Sequence, residues 1–158
     1  MGTGCTRRAL ALAFLAPALA PAGRASAAGL PRMVVTKDPS CGCCAGWAEH
    51  VRAAGFAVEV VETDSLNRLK ARLGVPQDLA GCHTAEVGGY VIEGHVPAAT
   101  IRRLLEEAPV ATGLAVPGMP VGSPGMEVEG SPPDEYDVVL FGPSGRRRFA
   151  RFRGADEV

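Results

Sequence analysis

Three cysteines stand within four residues of this chain, at Cys41, Cys43 and Cys44. They follow a short β-branched run and precede apolar residues at helical spacing, so they are predicted to lie where a strand ends and a helix begins. The unpaired backbone amides and the helix dipole at such a junction stabilise a thiolate over a thiol. The cluster therefore favours either nucleophilic redox chemistry or ligation of a soft metal ion.

The spacing of these three cysteines, called the trio below, is compatible with several kinds of chemistry. Cys41 and Cys44 have the C-x-x-C spacing of a redox pair, but Cys43 adds a third sulfur that simple dithiol exchange does not need. Together with Cys82, the cysteines could instead form two structural disulfides, although one of the three pairings would join the neighbours Cys43 and Cys44 with strain. Structural zinc is a further alternative, but it normally draws on a second ligand pair that the sequence lacks.

The segments around the trio alternate between strand and helix patterns. Residues 33–36 and 56–61 are predicted strands separated by a helix, and their short connections predict parallel pairing. A second helix is predicted at residues 66–73, a hairpin turning at Gly88 and Gly89, and a third helix at residues 98–107. Residues 109–133 hold 11 Gly or Pro in 25 positions and are expected to form a long loop without regular structure, followed by a C-terminal hairpin at residues 136–152.

We therefore expect one α/β domain: a mixed sheet flanked by helices, with a long Gly/Pro-rich loop and a C-terminal β-hairpin. Its element order resembles thioredoxin and glutaredoxin topology. That resemblance implies that Cys82 and His83, just before the third strand, lie directly against the C-x-x-C. The cis-proline that thioredoxins carry at this place is missing, since Thr84 and Ala85 follow instead. Its absence opens space beside the sulfurs.

Four thiolates in one pocket form a soft ligand set that selects Cu(I) over harder divalent ions. Met119 and Met126 would add thioethers if the long loop folds back over the site. His83 and His95 flank the predicted hairpin, and their imidazoles would suit a secondary or Cu(II) site. Because three crowded cysteines cannot all bind one ion at ideal angles, a sulfur-bridged copper cluster is expected. His50, further along the predicted first helix, is expected to be a solvated or capped histidine on the helix surface.

Four motifs carry a family resemblance. They are C-G-C-C-x-x-W at residues 41–47, G-C-H-T-A at 81–85, G-Y-V-I-E-G-H-V-P-A at 89–98 and G-L-A-V-P-G-M-P-V-G-S-P-G-M-E at 113–127. In this order they resemble the CopG family of periplasmic copper-resistance proteins, first described as a domain of unknown function and distinct from the DNA-binding repressor of the same name. The resemblance spans residues 33–152.

This resemblance implies a thioredoxin-like fold that binds Cu(I) as a multinuclear cluster and takes part in periplasmic copper handling, with a change of copper oxidation state as a further role. By position, it implies the cysteine ligands Cys41, Cys43, Cys44 and Cys82. The implied partners are copper ions and other copper-handling proteins of the periplasm.

Composition excludes several other classes of function. The net charge of −1 offers no electrostatic footprint for nucleic acid. Apolar residues at 47% and charged residues at 21% are a globular balance, and no apolar run approaches the length of a membrane span. The sequence has no P-loop, dinucleotide fingerprint, nucleophile elbow or zinc-protease motif.

The first residues are typical of a secretory signal. Arg7 and Arg8 precede an apolar stretch at residues 9–20, and Ala25-Ser26-Ala27 supplies a small-residue cleavage site. We expect residues 1–27 to be a signal peptide and residues 28–158 to be a single mature domain in the periplasm. No membrane association is expected after cleavage.

Three functions follow from these patterns. The leading one is a Cu(I)-binding protein that sequesters or relays copper, with electron exchange as a possible enzymatic role. The alternative is a thioredoxin-like thiol-disulfide oxidoreductase that uses Cys41 and Cys44. The third is an interaction module held together by disulfides.

Overall fold

The structure is a computed structural model that describes residues 1–2 and 29–158. The expected signal peptide at residues 1–27 lies almost wholly outside the described residues. Within the described residues, no helix combines the length and apolar character needed to cross a membrane.

The elements alternate as the sequence patterns predict. In chain order they are β1 (Met33–Lys37), α1 (Gly42–Ala53), β2 (Val58–Glu62), α2 (Leu66–Arg72), a 3₁₀ turn (Gln77–Leu79), β3 (His83–Val87), β4 (Tyr90–Glu93), α3 (Ala98–Glu107), β5 (Gly113–Ala115), β6 (Glu135–Gly142), β7 (Gly145–Arg153) and β8 (Asp156–Glu157). The eight strands of the described part of the chain form one sheet in the order β2-β1-β3-β4-β5-β6-β7-β8. The pairs β1/β2 and β4/β5 are parallel and the others antiparallel. The predicted mixed α/β architecture is confirmed.

Two apolar clusters pack on opposite faces of this sheet. Neighbouring residues of a strand point to opposite faces, and Val91 and Ile92 of β4 belong to different clusters, as do Leu114 and Ala115 of β5. The larger cluster includes Trp47 and Val51 of α1 and Ile101 and Leu104 of α3, so these two helices cover one face. The smaller cluster includes Leu79 of the 3₁₀ turn and covers the other face.

The central hairpin and third helix form where local signals place them. Gly88 and Gly89 have φ angles of 56° and 85°, the left-handed values that a tight turn between β3 and β4 requires. Helix α3 begins directly after Pro97, as predicted, and buries Ile101 and Leu104. The hairpin places the start of β3 beside the end of β1, where the cysteines meet.

The prediction for residues 109–133 is wrong in one part. Strand β5 lies inside this segment and joins β4 to the C-terminal hairpin. Gly113 makes this possible, because a Cβ there would lie only 1.7 Å from the carbonyl oxygen of Val91. Residues 116–134, all of them described, form no helix or strand. Strand β8 was also not predicted, since two residues carry too little pattern to detect.

Candidate metal centre

The first three cysteines sit on the turn that leads from β1 into α1. Asp38 Oδ1 accepts hydrogen bonds from the backbone N and the hydroxyl of Ser40 at 2.9 and 2.5 Å. The buried ammonium of Lys37 donates to the carbonyl oxygens of Asp38 and Pro39 at 3.1 and 3.3 Å. Cys41 is the N-cap residue, and the helix begins at Gly42. The predicted strand-to-helix junction is therefore confirmed.

Strand pairing brings Cys82 to the same place. Strands β1 and β3 are antiparallel, with Lys37 opposite His83. Cys82 comes just before β3, so it lies beside the turn that follows β1. The Sγ atoms of Cys41, Cys43, Cys44 and Cys82 all lie within 4.8 Å of one another.

Two of these four cysteines are bonded to each other. Cys41 and Cys44 form a disulfide, while Cys43 and Cys82 are free thiols. The Sγ of Cys43 lies 3.6 Å from that of Cys41 and 3.8 Å from that of Cys82. The Sγ of Cys44 lies 3.5 Å from the carbonyl oxygen of Cys82. This is the spacing of the redox pair with a third and a fourth sulfur in contact, not the pair of disulfides considered from the sequence.

Two imidazoles lie next to the sulfur of Cys82. The Sγ of Cys82 lies 3.4 Å from His83 Nδ1 and 3.0 Å from His95 Nε2, and these three residues form a second group with metal-ligand spacing. The His83 ring lies between Trp47 and His95, with ring centroids 4.3 and 5.1 Å away. Its Nε2 is buried without a hydrogen-bond partner. Burial, with smaller contributions from His95 and Lys70, holds the pKa of His83 well below its ordinary value.

The tautomer of His95 follows from its neighbours. Its Nδ1 lies 2.8 Å from the carbonyl oxygen of Pro124, which can only accept, so Nδ1 carries the proton and donates it. Burial lowers the pKa of His95, while Pro124 and Glu127 oppose that shift, and the neutral ring then presents the Nε2 lone pair to Cys82. A neutral imidazole in this orientation is a competent metal ligand.

The thiol of Cys82 resists ionisation. Burial, followed by the adjacent Cys43, raises the pKa of Cys82 to about 12. The thiol therefore keeps its proton near neutral pH, and a metal that binds this sulfur must displace it.

The long loop folds back over the site at its second half. Gly125, at φ 84°, packs so closely on α1 that a Cβ there would lie 2.9 Å from the carbonyl oxygen of Cys43. Met126 follows, half-buried, with its backbone N bonded to the carbonyl oxygen of Ser123 at 2.7 Å. Met119 has a different setting: it is 56% exposed and lines an open cavity with Tyr136.

His50 lies on α1 but contacts the start of α3, which the sequence did not predict. Its Nε2 accepts a hydrogen bond from the backbone N of Ala98 at 3.1 Å and so serves the N-terminus of α3. Burial lowers the pKa of His50, and Glu127 opposes the shift.

Sequence reasoning missed two buried charges behind Cys82. Lys70 and Glu93 form an ion pair and are 5% and 0% exposed. A signal was present, because Lys70 falls between Leu69 and Leu73 on the apolar side of its helix, and Glu93 ends an apolar strand.

The donor set is suited to a soft metal ion. Thiolate sulfur is a soft ligand, and neutral imidazoles, which suit copper, add nitrogen donors next to it. The unpartnered Nε2 of His83 is a further donor in a buried position. With the disulfide reduced, the residues present fit copper.

Comparison with known proteins places the chain in a family. Residues 79–126 match a family model described as "Protein of unknown function, DUF411". A solved structure named "Copper resistance protein copG- Form 2" is 43% identical, with a TM-score of 0.73 over 78% of this chain and 98% of that one. Its Form 1 is also 43% identical, with a TM-score of 0.73 over 79% and 99%. No curated protein matches significantly. The chain therefore belongs to the CopG family of copper-resistance proteins.

Proposed function

We propose that this protein binds Cu(I) in the periplasm and serves copper resistance, holding a multinuclear copper-thiolate cluster on Cys41, Cys43, Cys44 and Cys82. The observation that carries the proposal is the approach of four sulfurs, from two distant segments, to within 4.8 Å of one another. The two solved relatives named as copper resistance proteins support the choice of metal.

The arrangement of donors favours several ions over one. Three of the sulfurs come from four consecutive residues and cannot all approach a single ion at ideal angles, so sulfurs that bridge between ions relieve the crowding. His83 and His95 would add nitrogen ligands next to the sulfur of Cys82. Met126 would add a thioether from the returning loop, and Met119 would do so only after the loop moves, because it now lines a different cavity.

Binding by four thiolates requires the Cys41–Cys44 bond to be reduced. A dithiol reductant would supply two electrons and two protons and leave as a disulfide, returning Cys41 and Cys44 as thiols. Cys82 would then lose its proton on binding. In this proposal the bond controls whether two or four sulfurs are available to copper.

The proposal includes a setting. Residues 1–27 act as a cleaved signal peptide, and the domain that follows is thioredoxin-like in its first four strands, with the C-terminal strands added beyond β4. In the periplasm the protein would store copper, relay it to other copper-handling proteins or exchange electrons with it.

The test is an anaerobic titration of the reduced mature protein, residues 28–158, with Cu(I) against a chromogenic chelator. We expect more than one ion per chain, and clear losses in Cys43→Ser and Cys82→Ser. Cys5 belongs to the proposed signal peptide, so the four cysteines of the titrated protein are the four proposed ligands. Saturation at or below one ion, or a titration unchanged by both site variants, would contradict the cluster.

The Cys41–Cys44 disulfide favours a second candidate function, a thiol-disulfide oxidoreductase. The bond lies at the N-terminus of α1, with Cys41 partly exposed to an attacking thiol. This function predicts reduction of insulin or of a glutathione mixed disulfide that requires Cys41 and Cys44 but not Cys43. Absence of turnover in the full chain would remove it.

A further inference from the structure

Neither Lys70 nor Glu93, which form an ion pair, is a ligand in the proposed binding of copper. Both groups are removed from water, since Lys70 is 5% and Glu93 0% exposed. Lys70 is also the one residue of α2 that is fully buried. Replacing a buried ion pair by apolar residues of similar size is often neutral or stabilising, so stability alone does not account for it.

The contacts of Glu93 bracket the cysteine. Its Oε1 accepts a hydrogen bond from the backbone N of Gly81 at 2.7 Å and an ion pair from Lys70. Its Oε2 accepts from the hydroxyl of Thr84 at 2.7 Å, and Lys70 donates to the same hydroxyl at 2.9 Å. Gly81 and Thr84 flank Cys82 and His83 in the chain, so a single carboxylate holds both ends of the segment that carries the fourth sulfur.

The segment that carries Cys82 also contacts Gly94 through its backbone. A Cβ on Gly81 would lie 2.7 Å from the Cα of Gly94, so the two segments touch through their backbones. The backbone N of Gly94 donates to the carbonyl oxygen of His83 at 3.1 Å. The carboxylate is therefore the polar link that ties the Gly81 end of the segment to β4.

We propose that Glu93 is a positioning residue: with Lys70 as its counterion, it fixes the Gly81–Thr84 segment so that the sulfur of Cys82 stays beside that of Cys43. The position of the sulfur is testable without any metal. Its consequence for copper rests on the proposed function.

The test measures how readily Cys82 bonds to the trio in the full chain. In glutathione buffers, oxidised glutathione takes two electrons from the thiols of Cys43 and Cys82, which yields one protein disulfide and two reduced glutathiones. After alkylation and trypsin digestion, this bond links peptide 38–52 to peptide 73–102. The Cys41–Cys44 bond stays within the first peptide. The value of [GSH]²/[GSSG] at half-linking is the effective concentration of the two thiols.

Two double variants separate position from charge. Lys70→Met with Glu93→Leu removes both charges and also the acceptor for Gly81 N–H. We expect its effective concentration to fall roughly tenfold to a hundredfold, the effect of one lost hydrogen bond to a charged group. Lys70→Met with Glu93→Gln keeps an acceptor amide oxygen, and we expect it to stay within about threefold of the wild type by the same reasoning.

Two further variants keep the proposal falsifiable. Glu93→Asp retains the charge pair but withdraws the carboxylate by one methylene, and we expect its effective concentration to fall about tenfold. This variant carries the test if the apolar double variant does not fold. Val138→Ala, a buried change in β6 away from the segment, controls for general loss of stability and should leave linking unchanged. The proposal is overturned if linking stays at the wild-type level in Glu93→Asp or in a folded double variant with Glu93→Leu. A tenfold fall of the effective concentration in the double variant with Glu93→Gln would overturn it as well.

A copper arm distinguishes the two proposals. The reduced Glu93→Asp chain is titrated with Cu(I) beside the wild type. A lower effective concentration for linking together with weaker copper binding supports both the positioning role and the copper proposal. A lower effective concentration with wild-type copper binding supports the positioning role and contradicts the use of Cys82 as a ligand. If the wild type binds no Cu(I), the copper proposal fails and the linking result still decides the role of Glu93.

Discussion

The approach of Gly125 to helix α1 predicts that Gly125→Ala is much more harmful than a similar change elsewhere in the same loop. An alanine Cβ at this position would lie 2.6 Å from the backbone N of Trp47 and 2.9 Å from the carbonyl oxygen of Cys43. Both contacts are to backbone atoms, which cannot rotate away. The loop must therefore lift from the helix, and Pro124 with it, which withdraws the carbonyl that accepts from His95.

Gly118 is the matched control. Its φ angle of 74° is close to the 84° of Gly125, but a Cβ there meets no atom within 4 Å. Both alanines incur the left-handed penalty of about 1–2 kcal/mol. Only Gly125→Ala adds overpacking, about 1–3 kcal/mol. Because about 1 kcal/mol shifts the Tm of a domain this size by roughly 4 °C, we expect the two variants to differ by roughly 4–12 °C.

The assay is thermal unfolding of the reduced, metal-free variants, with urea unfolding as an independent measure of the free energy. Equal Tm values for the two variants would refute the close packing of this loop on α1. A Gly118→Ala variant less stable than Gly125→Ala would refute it as well. Neither result depends on the proposed copper chemistry.

Two further predictions concern pH. The raised pKa of Cys82 predicts that its alkylation by iodoacetamide, followed by peptide mass spectrometry, keeps accelerating above pH 9.0 toward about 12, and a plateau near 9.0 would contradict its burial against Cys43. The pKa of His50 is lowered in the folded chain, so below pH 6.5 the unfolded chain binds a proton at His50 more readily than the folded chain does. The free energy of unfolding is therefore higher above that pH and falls below it. His50→Gln, which cannot titrate, should reduce the loss of unfolding free energy between about pH 7 and about pH 5, despite the opposing charge of Glu127. An unchanged loss would contradict the bond from Ala98 to a neutral His50.

The sequence was most informative where a local pattern decides the structure. The apolar spacing after Pro97 predicts α3 with its observed bounds, Ala98–Glu107, because the proline starts the helix and its buried residues fall on one side. The two glycines of the central hairpin work in the same way. In each case the signal lies within a few residues and needs no knowledge of distant neighbours.

The sequence predictions were wrong or incomplete where the structure depends on residues that are far apart in the chain. Strand β5 is only three residues long and exists because β4 and β6 pair with it on either side. The role of Glu93 likewise depends on Gly81 and Lys70, which the sequence does not reveal as neighbours. The meeting of Cys82 with the trio was predicted, but from the resemblance in topology, because spacing alone cannot bring together residues so far apart in the chain.

The place of β5 in the sheet gives the C-terminal strands a protective effect. Without β5, strand β4 would present unpaired N–H and C=O groups along an edge, and such an edge is a template for pairing with another chain. A protein shortened after α3 would therefore lose the loop that packs on α1 beside Cys43 and also become prone to aggregate. Anyone who seeks a minimal version of this domain should keep the strands beyond residue 112.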